Sequence, residues 1–263
     1  MGRILFIGDF VGSPGRKAVK KYLAEIRESH AVDWVIANGE NAAAGKGITG
    51  ALCYELYQAG VDRITLGDHV WDQRGFSEEL DSLENVCRPF NLPASVPGRA
   101  YETLDLGNGK TLGIATLLGR QFMKISSSCQ YEALDALMKL DDVDFWFIET
   151  HAEATAEKVG LGWYMDGRAV AVIGTHTHVP TADESILPRG TAYLSDAGMT
   201  GPYHSVLGRE VAPVIASMRD GMPRRFEVAQ HDVRICGCLI DFDTETGVAT
   251  KIERFRRNVS SQN

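Results

Sequence analysis

The sequence predicts an α/β domain built on a mixed sheet, and three observations carry that expectation. Short apolar runs alternate with amphipathic stretches of helical period from the N-terminus onward. The C-terminal part instead holds two long runs of strand composition around Thr244-Glu245-Thr246-Gly247, the signature of a hairpin. No repeat and no break in composition separates these parts, so residues 1–257 are expected to form one domain and 258–263 a tail.

Each element has a local reason. Arg3 to Gly8 reads as a first strand. Pro14 to Ser29 reads as a helix with Ser13 as its N-cap and Pro14 in its first position, where a missing N–H is harmless. Asp33 to Asn38 forms a second strand. Thr49 caps a helix that stops near Gly60, where glycine suits a left-handed C-terminal residue. Arg63 to Leu66 is a third strand. Arg88 to Gly98 carries three prolines and is expected to run over the surface. Thr111 to Leu118, Asp144 to Thr150 and Ala169 to Thr175 are apolar enough to be buried strands, separated by helices over Glu132 to Leu140 and Glu153 to Tyr164. Glu227 to Asp243 and Val248 to Phe255 form the hairpin.

Composition excludes several classes. A chain of 263 residues with 44% hydrophobic and 24% charged residues can bury a core without staples. The net charge of −8 argues against a protein that tracks nucleic-acid phosphates, which needs a basic face. Bound divalent cations could still reverse the field in a carboxylate-rich site. The five cysteines are odd in number and contain no Cys-x-x-Cys, a usage that suits a reducing cytoplasm. Cys236 and Cys238 alternate along a strand and share one face. The N-terminal apolar run is too short for a signal peptide, and no run reaches the length of a membrane span. Asn258-Val259-Ser260 has the form of a glycosylation sequon, without meaning in a cytoplasmic protein. Gly39-Glu40-Asn41-Ala42-Ala43-Ala44-Gly45-Lys46 imitates a phosphate-binding loop, but five residues separate its glycines and Gly47 replaces the required Ser or Thr.

The chemistry gathers where strands end. Gly174-Thr175-His176-Thr177-His178 closes an apolar run. In an extended segment residues i and i+2 point to one side, so both imidazoles are expected to reach one metal centre or two adjacent ones. Other strands end in Gly8-Asp9, Asn38-Gly39-Glu40-Asn41, Gly67-Asp68-His69 and Thr150-His151. Ligand crevices in open α/β sheets lie outside the carboxyl ends of strands. Oxygen and imidazole donors together suit two neighbouring ions that clamp a phosphoryl group. Asp9, Asn41 and Thr49 could each instead cap the helix that follows, but capping does not account for three histidines at equivalent positions. A glycine before three of the polar residues allows a sharp turn or a close approach.

These segments, with His151-Ala152-Glu153-Ala154-Thr155, resemble the motifs of calcineurin-type metallophosphoesterases. More narrowly, the chain resembles the bacterial YmdB family of dinuclear phosphodiesterases. Asn38 to Ala43, Leu117-Leu118-Gly119-Arg120 and Asp196-Ala197-Gly198-Met199-Thr200-Gly201-Pro202 are similar to that family too. The resemblance implies a four-layer α/β/β/α sandwich with two mixed β-sheets. It implies hydrolysis of cyclic nucleotide phosphodiesters, 2′,3′-cyclic and also 3′,5′-cyclic. Asp9, Glu40, Asn41, Asp68, His151, His176 and His178 become the metal ligands. Glu40 would bridge two ions of iron or manganese, with Asp9, Asn41 and His178 completing one centre and Asp68, His151 and His176 the other. One position departs from the pattern: Gly-Asn-His is expected where Asp68 stands. A third carboxylate should tighten cation binding and cancel positive charge that would polarise the phosphate, altering metal preference and slowing turnover.

The expected chemistry is in-line attack of an ion-activated water on phosphorus. His69, beside a ligand but not needed as one, is the candidate acid for the leaving ribose oxygen, with orientation of Asp68 as its other role. Arg120 and His204 are candidate substrate contacts. Trp71 and Trp163 are expected to pack. A cytoplasmic homo-oligomer acting on a small cyclic nucleotide, with neither nucleic acid nor membrane as partner, completes the expectation. Two rivals remain: a metal-binding regulatory protein with little catalysis, and a phosphomonoesterase or 5′-nucleotidase on the same site.

Overall fold

The computed structural model describes residues 1–259. It holds two mixed β-sheets with helices against them. The first sheet is built on the parallel strands β1 (Gly2–Ile7), β2 (Trp34–Asn38), β3 (Arg63–Thr65) and β4 (Val86–Cys87). The second contains β5 (Glu102–Asp105), β6 (Thr111–Leu118), β7 (Phe145–His151), β8 (Ala171–Thr175), β9 (Ser185–Ile186) and β10 (Ala192–Leu194) in the order β5-β6-β7-β8-β10-β9. Strands β6, β7, β8 and β10 run parallel, and the two outer strands pair antiparallel. In the first sheet β11 (Gly201–Pro202), β12 (Val233–Phe242) and β13 (Ala249–Asn258) continue beyond β1, with β12 antiparallel to β1 and to β13. The hairpin expected from the sequence is therefore β12–β13. Asn258 ends a strand rather than beginning a tail, and residues 260–263, with the last position of the sequon, lie outside the described residues.

Three apolar cores follow from strand alternation. Leu5, Ile7, Val35 and Ala37 face α1 (Gly12–Ser29) and α2 (Gly50–Gln58). Ile4, Phe6 and Ile36 point the other way and meet Ile114, Phe147 and Ile173 of the second sheet. The Phe6 and Phe147 rings tie the sheets together with centroids 5.3 Å apart; burying each contributes roughly 2–3 kcal/mol. Ala115, Leu117, Ile148 and Val172 pack the outer face of the second sheet. There they meet α4 (Gln130–Leu137) and α5 (Thr155–Met165). Two further helices, α3 (Phe76–Glu79) and α6 (Val211–Asp220), complete the chain. No helix among the described residues is long and apolar enough to cross a membrane.

The structure corrects several local expectations. Ser13 does not cap α1. The cap position is Val11, with no side-chain cap, and Gly12 N donates to Asn41 O at 2.9 Å. Backbone docking against the end of β2 replaces the capping side chain. Thr49 does cap α2, with Oγ1 accepting from Leu52 N at 3.4 Å. The Arg88 to Gly98 segment is not wholly superficial. Arg88, Asn91 and Leu92 are buried, and the Asn91 side chain exchanges hydrogen bonds with the Leu118 backbone at 2.9 Å. A polar side chain that satisfies buried backbone lets an irregular segment enter the interior. Trp163 is 58% exposed and does not pack, whereas Trp71 lies against the first core. Cys236 and Cys238 are both buried on one strand, and all five cysteines are unpaired.

Candidate metal centre

The ends of β1, β2 and β3 in one sheet and of β7 and β8 in the other meet at one place. Asp9 follows β1 and is fully buried, Glu40 and Asn41 follow β2, and Asp68 follows β3. His151 is the last residue of β7, also fully buried, and His176 and His178 follow β8. One sheet thus supplies oxygen donors and the other supplies the imidazoles.

His151 is the hub. Its Nε2 lies 3.1 Å from Glu40 Oε2, 3.1 Å from Asp68 Oδ1 and 3.1 Å from His176 Nδ1. His176 Nδ1 is 3.3 Å from Asp68 Oδ1. Glu40, Asp68, His151 and His176 therefore converge closely enough to hold one ion. Beside this cluster, Glu40 Oε1 accepts from Asn41 Nδ2 at 2.7 Å, and that amide nitrogen is 3.1 Å from His178 Nε2. His178 Nε2 is in turn 4.0 Å from Asp9 Oδ2. Glu40 stands between the two groups.

Two buried oxygens of the proposed ligands have no partner: Asp9 Oδ1 and Asn41 Oδ1. Buried acceptors without a donor are costly, by about 1–3 kcal/mol each. A bound cation would give such oxygens a partner, and Asp9, Asn41, Glu40 and His178 together supply oxygen and imidazole donors of the kind a second ion takes. A different triad, Asp9, Glu149 and His151, is also close together. Here the Glu149 oxygens and His151 Nδ1 are otherwise engaged, and only Asp9 Oδ1 is without a partner. Glu149 Oε1 accepts from Asn38 Nδ2 at 2.6 Å and from the Thr175 hydroxyl at 2.6 Å, and Oε2 accepts from Thr116 Oγ1 at 3.1 Å. Glu149 serves the site from behind.

Electrostatics follow from this crowding. Burial opposes charge on His151, but Glu40, Asp68 and Glu149 outweigh it and hold its pKa well above the usual imidazole range. Burial acts against ionised Asp68 too, yet hydrogen bonds with His151 and His176 keep that carboxyl well below its usual range. Glu40 is lowered despite burial, again chiefly through His151. Burial pushes the Asp9 carboxyl well above its usual range, with His151 opposing. Burial lowers His178, which favours the neutral imidazole a metal requires.

The His-x-His segment is not the extended strand end expected from its spacing. Strand β8 stops at Thr175, and His176 and His178 have φ of 94° and 65°. The intervening Thr177 is clamped instead. Its N–H and hydroxyl both donate to Asp196 Oδ2, at 3.1 and 2.8 Å, and Lys158 Nζ donates to the same oxygen at 2.8 Å. That buried ion pair compensates the strained turn. The segment Asp196 to Pro202 also reaches the first sheet. Ala197 N donates to Gly174 O at 2.8 Å, Met199 N to His178 O at 3.2 Å and Thr200 N to Asp9 O at 2.8 Å. It laces Asp9 to the histidine turn across the two sheets.

The glycines act through close approach. Gly8, Gly39 and Gly67 do not adopt positive φ. A Cβ at Gly67 would overlap Glu40 Oε2 and His151 Nε2. Asp9 and Asn41 do not cap helices: Asp9 Oδ2 accepts from His176 N at 2.9 Å.

With this geometry in place, the comparisons are direct. A family model described as YmdB-like protein matches residues 5–255. The chain belongs to this family. It is 45% identical over 264 residues to the 2′,3′-cyclic-nucleotide 2′-phosphodiesterase of Bacillus subtilis, covering 97% of each chain. A solved structure of a hypothetical protein from Thermus thermophilus superposes with a TM-score of 0.91 at 42% identity, covering 97% of this chain and 99% of that one. A novel phosphatase from Mycoplasma pneumoniae gives a TM-score of 0.92 at 32% identity, with coverage of 98% and 93%.

In this YmdB-like chain an open cleft of about 420 Å³ runs over the cluster, lined by Glu40, Asn41, His69, His176 and His178. His69 Nδ1 is 2.8 Å from Asp72 Oδ2, so Asp72 orients its ring. Arg120 and His204 are both exposed and do not line this cleft. The Arg120 backbone N–H is held by Glu157 Oε1 at 3.0 Å. The cations that do line it are Lys46, Lys124 and Arg209. Lys46 ends the segment that imitates a phosphate-binding loop, a pattern set aside for its spacing, and Lys124 and Arg209 stand in no recognisable motif. Glu149 and Thr175, by contrast, stand two residues before and one residue before proposed ligands.

Proposed function

We propose that this protein is a metal-dependent phosphodiesterase that hydrolyses 2′,3′-cyclic nucleotides. The observation that carries the reading is the pair of buried, unpartnered oxygens, Asp9 Oδ1 and Asn41 Oδ1, beside the Glu40–Asp68–His151–His176 cluster. A close relative named as a 2′,3′-cyclic-nucleotide 2′-phosphodiesterase supports the substrate class. Two ions, iron or manganese by the mixed donor set, would be held by Asp9, Asn41 and His178 on one side and by Asp68, His151 and His176 on the other, with Glu40 between them. When bound they would polarise the phosphate and lower the pKa of a water.

The residues of the chain do the rest. Water oxygen bonds to phosphorus, the bond from phosphorus to the 2′ oxygen breaks, and a 3′-phosphate remains. His69 gives a proton to the leaving oxygen, its ring held by Asp72. The three stacked cores support a four-layer α/β/β/α sandwich. We further infer a cytoplasmic location, which the unpaired cysteines support. A homo-oligomer is supported by the exposed Ile215 and Met218 of α6.

A monoesterase reading has one observation in its favour, the structural relative titled a phosphatase. Rates on 2′,3′-cyclic AMP and on AMP separate the readings. A cyclic-diester rate at least about tenfold above the monoester rate supports the phosphodiesterase. The reverse preference supports the monoesterase. Metal binding without turnover of either supports a regulatory role.

A further inference from the structure

The cleft over the metal centre has one wall that the hydrolytic chemistry does not use. Leu207 is 50% exposed and Phe226 is 38% exposed, and both side chains line the cleft together with His178. Apolar side chains that line a cleft beside a charged centre offer a surface on which the apolar part of a ligand can lie. The backbone of both is held in place. Leu207 has φ of 49°, and its carbonyl is 3.3 Å from His178 Nδ1. The Phe226 carbonyl accepts from Arg209 Nη1 at 3.3 Å, and the same guanidinium donates to the carbonyls of Ala44, at 2.9 Å, and of Gly45. Arg209 thus ties the Phe226 segment to the loop that follows Asn41.

The polar side chains on the same wall are already occupied. Thr177 is bound to Asp196 through its N–H and its hydroxyl, Arg209 is committed to backbone carbonyls, and Glu153 Oε2 lies 3.3 Å from His176 Nε2. Lys46 and Lys124 remain, and flexible ammonium groups suit anionic oxygens better than the edges of bases. Apart from Asn41, a proposed metal ligand, no side chain lining the cleft offers the paired donor and acceptor that distinguish one base from another.

We propose that Phe226 and Leu207 form a platform for the face of the nucleobase, so that the enzyme recognises that a base is present without reading which one. This rests on the phosphodiesterase reading above. Stacking on an aromatic ring is tolerant of sequence because every base has a π-face.

The test compares kcat/KM for the 2′,3′-cyclic phosphates of adenosine, guanosine, cytidine and uridine with that for glycerol 1,2-cyclic phosphate, which has the same strained ring and no base. The four nucleotides are expected to agree within about threefold and to exceed the base-free ester by about tenfold or more. Phe226→Ala is expected to reduce the ratio of nucleotide to base-free ester by about tenfold, mostly through KM, and Phe226→Trp to restore it. A preference above about tenfold for one base overturns the proposal. So does a ratio that Phe226→Ala leaves unaltered. In both cases chelator-sensitive hydrolysis of the cyclic esters leaves the phosphodiesterase reading standing. Failure to hydrolyse any of the five esters with ions bound overturns both.

Discussion

The Thr175 hydroxyl lies 2.8 Å from His151 Nδ1 and accepts a hydrogen bond from its N–H, while donating one to Glu149 Oε1 at 2.6 Å. This relay requires the His151 tautomer with hydrogen on Nδ1. In the neutral ring that an ion requires, it turns the Nε2 lone pair toward Glu40, Asp68 and His176, where an ion would sit. Thr175→Val keeps the shape and removes the hydroxyl. Manganese affinity, measured by calorimetric titration of chelated protein, is expected to fall by about 10- to 100-fold with the fold retained. Unaltered affinity would mean that His151 needs no orienting partner.

Asp68 should matter differently. Its carboxylate adds a full charge against His151 and His176. In Asp68→Asn the ions are expected to bind about tenfold more weakly while turnover at saturating metal rises, because less of their charge is cancelled before the phosphate arrives. Steady-state kinetics over a manganese series checks both halves. Slower turnover at saturation would make Asp68 a working part of the catalyst.

His69 can be separated from metal binding. His69→Ala is expected to keep its metal content and to lose about 100-fold or more on a cyclic nucleotide. A nitrophenyl phosphodiester, whose leaving group needs no proton, should lose far less. Equal losses on both substrates would remove His69 from the acid role.

Metal stabilisation should depend on pH with a defined sign. The folded pKa values of His151 and Asp9 are both raised. Groups of this kind add stability below their unfolded pKa and lose it as pH rises through the folded one. These two groups therefore weaken the metal-free protein as pH rises through their folded values, while His178, whose pKa is lowered by burial, acts in the opposite sense near its unfolded value. Ions that replace those protons bind more tightly in the same direction. The rise in Tm caused by manganese is expected to grow between about pH 6 and about pH 8. A rise that shrinks over that interval would show that metal does not displace these protons.

Gly67→Ala tests the packing of the centre. The added methyl would overlap Glu40 Oε2 and His151 Nε2, so metal affinity should fall by about tenfold or more. Unaltered affinity would mean that the centre tolerates displacement of both groups.

Much of this was legible in the sequence, for physical reasons. Strands β1, β2, β6, β7, β8 and β12 are long or fully buried, so their apolar runs declare them. Strands β4, β9 and β11 have two residues each and exist through pairing with neighbours, which no local pattern records. The seven proposed ligands gather because strand ends gather. The turn at His176 and His178 was not legible, since its geometry depends on Asp196 and Lys158, 20 and 18 residues from His176 and on separate elements. Arg120 was a candidate substrate contact because arginine suits a phosphate clamp, but it is exposed and does not line the cleft.

The central claim is that hydrolysis depends on two ions held at this centre. The most direct measurement follows the initial rate on 2′,3′-cyclic AMP as manganese is added back to chelated protein. The rate should rise from near zero and level off at about two equivalents per chain. Full activity in the chelated protein, or no activity once two ions are bound, would contradict the account.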